Sequence, residues 1–157
     1  MSRVLITGAN GFIGSNLCRW FLERGWEVDA LVRESSDLHF LEGLDVRLVK
    51  GDLCFPQKID LPSGTTHVIH AAALVSDLAG DEDCARNIFD MTRNFVRMLR
   101  DSGAPVQRFV YISTALTLGF VGHDISEDRH GRSAVFLPYV RHKIRTENEL
   151  RDQHAIR

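Results

Sequence analysis

The chain has 157 residues, 44% of them hydrophobic and 25% charged, with a formal net charge of −2 and a pI near 6.4. That is the composition of one soluble globular domain with a single core, and so mild a charge excludes a general attraction to nucleic-acid phosphates or a membrane surface, leaving small molecules as the expected partners. The N-terminal MSRVLITG lacks the basic region, apolar stretch and small-residue cleavage site of a signal peptide, and no apolar run reaches the length of a membrane span, so a cytoplasmic location is expected.

In chain order, Arg3 to Thr7 (RVLIT) reads as a short strand that passes through a glycine-punctuated turn into a helical segment. There Ile13, Leu17, Trp20 and Phe21 form the expected apolar stripe, and Gly25 supplies the stop after Arg24. A second strand is expected at Glu27 to Val32, then a short helix in SSDLHFLEGL capped by Ser35 or Ser36, then a third strand at Val46 to Val49. Gly51 to Thr66 carries Pro56, Pro62 and Gly64 and reads as a loop with room for one irregular turn. His67 to Ala71 is strand four. From Asp83 to Asp101 the apolar residues Ile88, Met91, Phe95, Met98 and Leu99 recur at helical spacing, until Gly103 and Pro105 end the segment. Strand five is Arg108 to Ile112, a long loop runs from Ala115 to Leu137 through Gly119, Gly122 and Gly131, and a last helix starts near Pro138.

Short buried strands alternating with helices predict an α/β fold: a Rossmann-type doubly wound parallel sheet in three α/β/α layers, because parallel strands need crossovers that place helices on both faces. Ligands of such sheets bind at the carboxyl ends of the strands. Metal is not expected there, since His67 and His70 bracket a strand-like run with no further ligand at suitable spacing. Cys18, Cys54 and Cys84 are widely separated and read as buried thiols.

After the first strand comes GANGFIG, with Gly8, Gly11 and Gly14 spaced three apart. Gly8 permits a tight turn, Gly11 lets backbone approach a pyrophosphate, and Gly14 lets the helix pack close to the strand, while the helix start offers free N–H groups. The whole loop, with Asn10, Phe12 and Ile13, is therefore a candidate dinucleotide-binding segment. After strand two the sequence reads LVRESS, where a free ribose 2′-hydroxyl would call for a carboxylate. Val32 cannot accept that bond, whereas Arg33 can pair with a 2′-phosphate, helped by Ser35 or Ser36, which favours NADP over NAD. The alternative, in which Arg33 is a solvated charge and Glu34 serves the ribose, stays open. Near the C-terminus, Tyr139 and Lys143 fall four apart in LPYVRHKIRTENEL, so a helix sets a phenol and an ammonium on one face.

TGANGFIG, GDL, HVIHAAA, YIST and YVRHK occur in the order and context of the extended short-chain dehydrogenase/reductase family, the NAD(P)-dependent epimerases, dehydratases and reductases. The resemblance covers essentially the whole chain, and LVRESSDLHFLEGLDVRLVKGDL is most similar to the branch with dihydroflavonol-reductase-like enzymes. By that resemblance Asp52 and Leu53 line the adenine pocket, and Ala71, Ala72 and Ala73 pass beneath the nicotinamide-side ribose. Thr114, with Ser113 beside it, takes the substrate-contacting position. Tyr139 and Lys143 match the catalytic pair, the lysine also holding the ribose hydroxyls and, with the positive nicotinamide, favouring a phenolate. The resemblance also implies a homodimer, built on the helices near Asp83 to Asp101 and after Pro138 with apolar residues facing outward.

Two departures stand out. Aligned through Thr92-Arg93-Asn94, the family's helical Asn position falls on Ile88, with Asn87 one residue early. The chain also stops at Arg157, without the sixth strand and C-terminal substrate domain of family members about twice its length, so residues 1–157 are expected to be the NAD(P)-binding domain alone. Ala115 and Leu116 stand where a dehydratase favours acidic residues, which ranks reductase or epimerase above dehydratase. Rival expectations are a non-catalytic NADP-binding sensor or scaffold, and a truncated enzyme that only binds nucleotide.

Overall fold

The structure is a computed structural model and describes residues 2–76, 78–119, 126 and 136–152. The described chain divides into two compact units, one of residues 2–72 and 94–112, the other of residues 73–93 and 113–152.

The first unit holds the sheet. Its strands are β1 (Arg3–Thr7), β2 (Glu27–Val32), β3 (Arg47–Lys50), β4 (His67–His70) and β5 (Arg108–Tyr111), all parallel, in the order β3-β2-β1-β4-β5. The expected strands are therefore all present, β3 one residue later than its pattern suggested. Period-two alternation divides their side chains between two faces. Val4, Ile6, Val28, Ala30, Val32 and Ile69 form a core cluster with Cys18 of helix α1 (Phe12–Leu22), against which Leu17 and Phe21 also pack. On the other face His70, Phe109 and Tyr111 stack in a row, and Phe95 of helix α3 (Met91–Asp101) lies 5.5 Å from the His70 ring. Helices thus cover both faces of a parallel sheet, as its nearly continuous apolar strands require.

Local differences from the sequence expectation have plain causes. Ile13 and Trp20 of the predicted stripe are half exposed, because Gly14, Ser15 and Cys18 face the sheet instead. Small residues there let α1 approach closely. The short segment after β2 is one 3₁₀ turn, His39–Leu41, and neither Ser35 nor Ser36 caps it; the Asp37 carboxylate accepts from His39 N–H at 3.0 Å, while Ser36 closes the turn back onto Arg33. Cys54 is only partly buried, unlike Cys18 and Cys84. Asp29, buried inside β2, is offset by the Arg47 guanidinium of the neighbouring strand at 2.7 Å.

In the second unit, α2 (Asp81–Cys84) runs through a π-helical segment, Ala85–Asp90, into α3, so the predicted helix is present with a widened turn inside it. Helix α4 (Pro138–Asp152) follows as expected. Ala115–Leu118 is a 3₁₀ turn rather than loop, and Gly122 and Gly131 of the long loop lie outside the described residues. On the two helices expected to carry apolar residues outward, the apolar side chains are buried or, as at Met98 and Leu150, only partly exposed, and the exposed positions are polar or charged, among them Arg97, Arg100, Arg141, Arg145 and Arg151. Arg145 lies 3.7 Å over the Phe89 ring, so part of that arginine surface is packing rather than free charge.

Candidate functional site

In the first unit the strand order reverses between β1 and β4, and their carboxyl ends meet where ligands of open α/β sheets bind. Gly8 turns there with φ 63°, and a Cβ on it would stand 2.8 Å from Ala72 N. A Cβ on Gly14 would stand 2.2 Å from the Gly8 carbonyl oxygen. Gly8 is therefore required by space as well as by conformation, and Gly14 by space alone. Helix α1 starts at Gly11 with no side-chain cap and no acidic residue in its first turn, and its first bond is Ser15 N–H to Gly11 C=O at 2.9 Å. The N–H groups of Phe12, Ile13 and Gly14 thus sit at an uncapped positive helix end, beside exposed Phe12 and Ile13 side chains. This is an anion cradle, and it fits a dinucleotide pyrophosphate.

Around it, Asn10 donates to the Asp37 carbonyl at 3.2 Å, joining the cradle to the loop after β2. Arg33 opens that loop with its backbone pinned by Ser36, and its guanidinium is exposed. Asp52 is exposed at the end of β3, one carboxylate oxygen accepting from Cys54 N–H at 2.8 Å, while Leu53 is buried beside it. Ala71, Ala72 and Ala73 follow β4 in partly exposed positions. Sequence reasoning missed two residues here. Thr7 Oγ1 accepts from Ala72 N–H at 3.2 Å and shares a second hydrogen bond with His70 Nδ1 at 2.8 Å. His70, read only as half of a possible metal pair, is a fully buried brace that sets the Gly8–Ala72 approach. Among the described residues no cluster suits a metal ion.

The second unit brings together Thr114, Tyr139 and Lys143. Tyr139 hydrogen-bonds to the Thr114 side chain, and the Lys143 ammonium lies 5.9 Å from the Tyr139 ring centroid. Thr114 precedes the 3₁₀ turn and its Oγ1 accepts from Leu116 N–H at 3.3 Å. Lys143 is 2% exposed, and burial lowers its pKa from 10.5 to about 8, with Glu147 acting the other way. Burial also raises the Tyr139 phenol above its ordinary value, against the pull of Thr114. In the chain without cofactor Tyr139 therefore rests as the phenol. Burial disfavours the charged form of both groups.

Ser113, beside Thr114, donates its hydroxyl proton to the Glu147 carboxylate. Glu147 escaped the sequence reading, although its position four residues after Lys143 placed it on the same face of α4. Asn87 sits in the π segment and donates to the Asp83 carbonyl at 2.9 Å. A π turn takes one residue more than an α turn, which gives a physical place to the one-residue offset of Asn87.

Two measurements check this geometry. Gly14→Ala should cost about 1–3 kcal/mol in urea unfolding, since backbone must shift to admit the methyl group, and should abolish dinucleotide binding in fluorescence titration. Lys143, titrating near 8 when folded and near 10.5 when unfolded, carries more protons in the unfolded chain between those values, so stability rises with pH there. Urea unfolding should show a gain of about 1 kcal/mol from pH 8 to pH 9 that Lys143→Met abolishes. Cys18, whose thiol burial raises to about 11, opposes this trend at higher pH.

The model of the NAD dependent epimerase/dehydratase family matches residues 4–155. The chain is 35% identical over 152 residues to sterol demethylase protein B of Methylococcus capsulatus, covering 93% of this chain and 45% of that protein. It is 34% identical over 131 residues to a putative dihydroflavonol 4-reductase of Synechocystis, covering 83% and 38%. Among solved structures, a UDP-glucose-4-epimerase from Stenotrophomonas maltophila, with bound NAD and formylated UDP-arabinopyranose, superposes with a TM-score of 0.81 at 23% identity, over 98% of this chain and 48% of that one, which shows the shared Rossmann fold. The chain spans less than half the length of these curated relatives. A sheet reversed at a glycine cradle, a Tyr–Lys helix and a family match through nearly all of its length agree: the chain belongs to the NAD-dependent epimerase/dehydratase family, the extended short-chain dehydrogenases/reductases.

Proposed function

We propose that this chain is the NAD(P)-binding Rossmann part of an extended short-chain reductase that prefers NADP(H) and reduces a carbonyl on a small lipophilic substrate. The observation that carries the reading is the grouping of Tyr139 with Thr114 and buried Lys143, in a chain whose β1–α1 turn is an anion cradle. Gly8, Asn10, Gly11, Phe12, Ile13 and Gly14 would hold the pyrophosphate, Arg33 the 2′-phosphate, Asp52 and Leu53 the adenine, and Ala71 to Ala73 the backbone side of the second ribose. When bound, the nicotinamide supplies the hydride. Tyr139, kept protonated by burial, donates its proton to the carbonyl oxygen as charge develops there. Lys143 stabilises the phenolate left behind, and the Thr114 hydroxyl orients the same oxygen.

The substrate class follows from what the second unit leaves uncovered. Val75 is 78% exposed, Leu78 97% and Phe136 70%, apolar groups that flank Ala73 and Tyr139 in the sequence. Such side chains suit a hydrophobic ring ketone better than a nucleotide sugar, in line with the sterol and dihydroflavonol named for the two relatives. No acidic residue occurs in Ala115–Leu118, which supports reduction over dehydration. We further propose, on the family resemblance, a cytoplasmic homodimer.

NADPH should bind more tightly than NADH in titration calorimetry, and Arg33→Ala should erase most of a difference worth about 1–3 kcal/mol. Equal affinities in the unaltered chain would remove the preference. In the full-length protein, NADPH-dependent reduction of a sterol-sized ring ketone should fall roughly 100-fold or more in Tyr139→Phe with cofactor affinity unchanged. Undiminished turnover would take Tyr139 out of the mechanism.

A further inference from the structure

Tyr139, Lys143 and Glu147 lie at successive four-residue intervals and form one stripe along α4. Two adjacent residues dock on that stripe: Thr114 bonds Tyr139 at one end, and Ser113 donates to Glu147 at the other. Lys143 stands between them. Of the chain's three lysines, Lys50 and Lys58 are exposed and only Lys143 is buried. A buried ammonium needs a fixed counter-charge or it gives up its proton.

Among the described residues of the neighbouring elements, the other carboxylates are engaged or exposed. Asp81 on α2 is engaged by Arg141 at 2.6 Å and by His142 at 2.8 Å. Asp90 of the π segment pairs with Arg93 at 2.8 Å, while Glu82, Asp83 and Arg86 are exposed. The 3₁₀ turn Ala115–Leu118 has no charged residue. Glu147 differs from all of these: its side chain is only 12% exposed, and it stands one helical turn after Lys143 on α4.

We propose that Glu147, held in place by the Ser113 hydroxyl, is a positioning residue that keeps Lys143 cationic and oriented along the Tyr139 stripe. The catalytic importance of that arrangement rests on the reductase reading above, but the electrostatic relation itself does not. Ser113 is accordingly an anchor for the counter-ion, which leaves Thr114 as the hydroxyl that faces Tyr139. The effect described above, in which Glu147 opposes the loss of the Lys143 proton, agrees with this geometry.

The test is the pH titration of ¹³Cε-labelled lysine signals in the chain without cofactor, where only three side chains contribute. Lys143 is assigned by its loss in Lys143→Met. Glu147→Gln keeps the shape and a hydrogen bond to Ser113 but removes the charge, and should move the Lys143 midpoint down by about one pH unit. Ser113→Ala, which leaves the charge and frees the carboxylate, should move it down by less; it also serves if Glu147→Gln fails to fold. An unchanged Lys143 midpoint in whichever folded variant is read overturns the proposal. Cofactor titration of the same samples separates the two ideas: failure to bind NAD(P) counts against the reductase reading and leaves the lysine result standing.

Discussion

The first unit depends on one close approach, that of the Gly8 backbone to Ala72 at the carboxyl ends of β1 and β4. The space for a side chain is absent at Gly8 and Gly14 alike, because backbone atoms of Ala72 and Gly8 already occupy it. Conformational freedom lost by a glycine costs on the order of 0.5–1 kcal/mol each, and the apolar burial of Val4, Leu5 and Ile6 immediately before the turn offsets it. What fixes the approach is polar. Thr7 takes the Ala72 N–H and hydrogen-bonds His70, which is itself enclosed by Phe95, Phe109 and Tyr111. These bonds preorganise the cradle, which lowers the ordering cost of binding an anion.

In the second unit, burial decides protonation. Spacing sets a phenol beside an ammonium, and desolvation pushes both groups towards their neutral forms, raising Tyr139 and lowering Lys143. The pair therefore rests with the proton on the tyrosine. For a reductase that is the useful state, since the oxygen of a carbonyl needs a proton when hydride reaches its carbon. The positive charge expected to favour phenolate becomes relevant only after that proton has left.

Much of this was legible in the sequence, and what was not has a common cause. β1 and β2 fell on their expected residues because runs such as RVLIT and EVDALV are buried on both faces, and a continuous apolar run has few alternatives. The glycine loop and the Tyr–Lys pair were readable because each depends on local spacing. The role of Ser36, the exposure of Trp20 and the bond from Ser113 to Glu147 were not, because each is decided by a partner that sequence proximity or periodicity does not name. The π segment is a subtler case. Its apolar pattern at Ile88, Met91 and Phe95 reads as an ordinary helix, and only the displaced Asn87 hinted at a residue to be absorbed.

Helix α4 shows how these points join. Its buried residues include Val140 and Ile144, but also His142, Lys143 and Thr146, so apolar area alone does not hold it. Directional bonds do the rest. Asp81 receives His142 at 2.8 Å and Arg141 at 2.6 Å, bonds that hold its carboxyl below the usual range. Thr114 meets Tyr139, and Ser113 meets Glu147. Apolar packing tolerates sliding and rotation, whereas hydrogen bonds of this kind fix both, because a small displacement leaves a buried polar group unpaired at a cost of about 1–3 kcal/mol. A helix that must present a phenol and an ammonium at set positions gains from being docked this way. The polar residues that make α4 look poorly suited to burial are the ones that set its register.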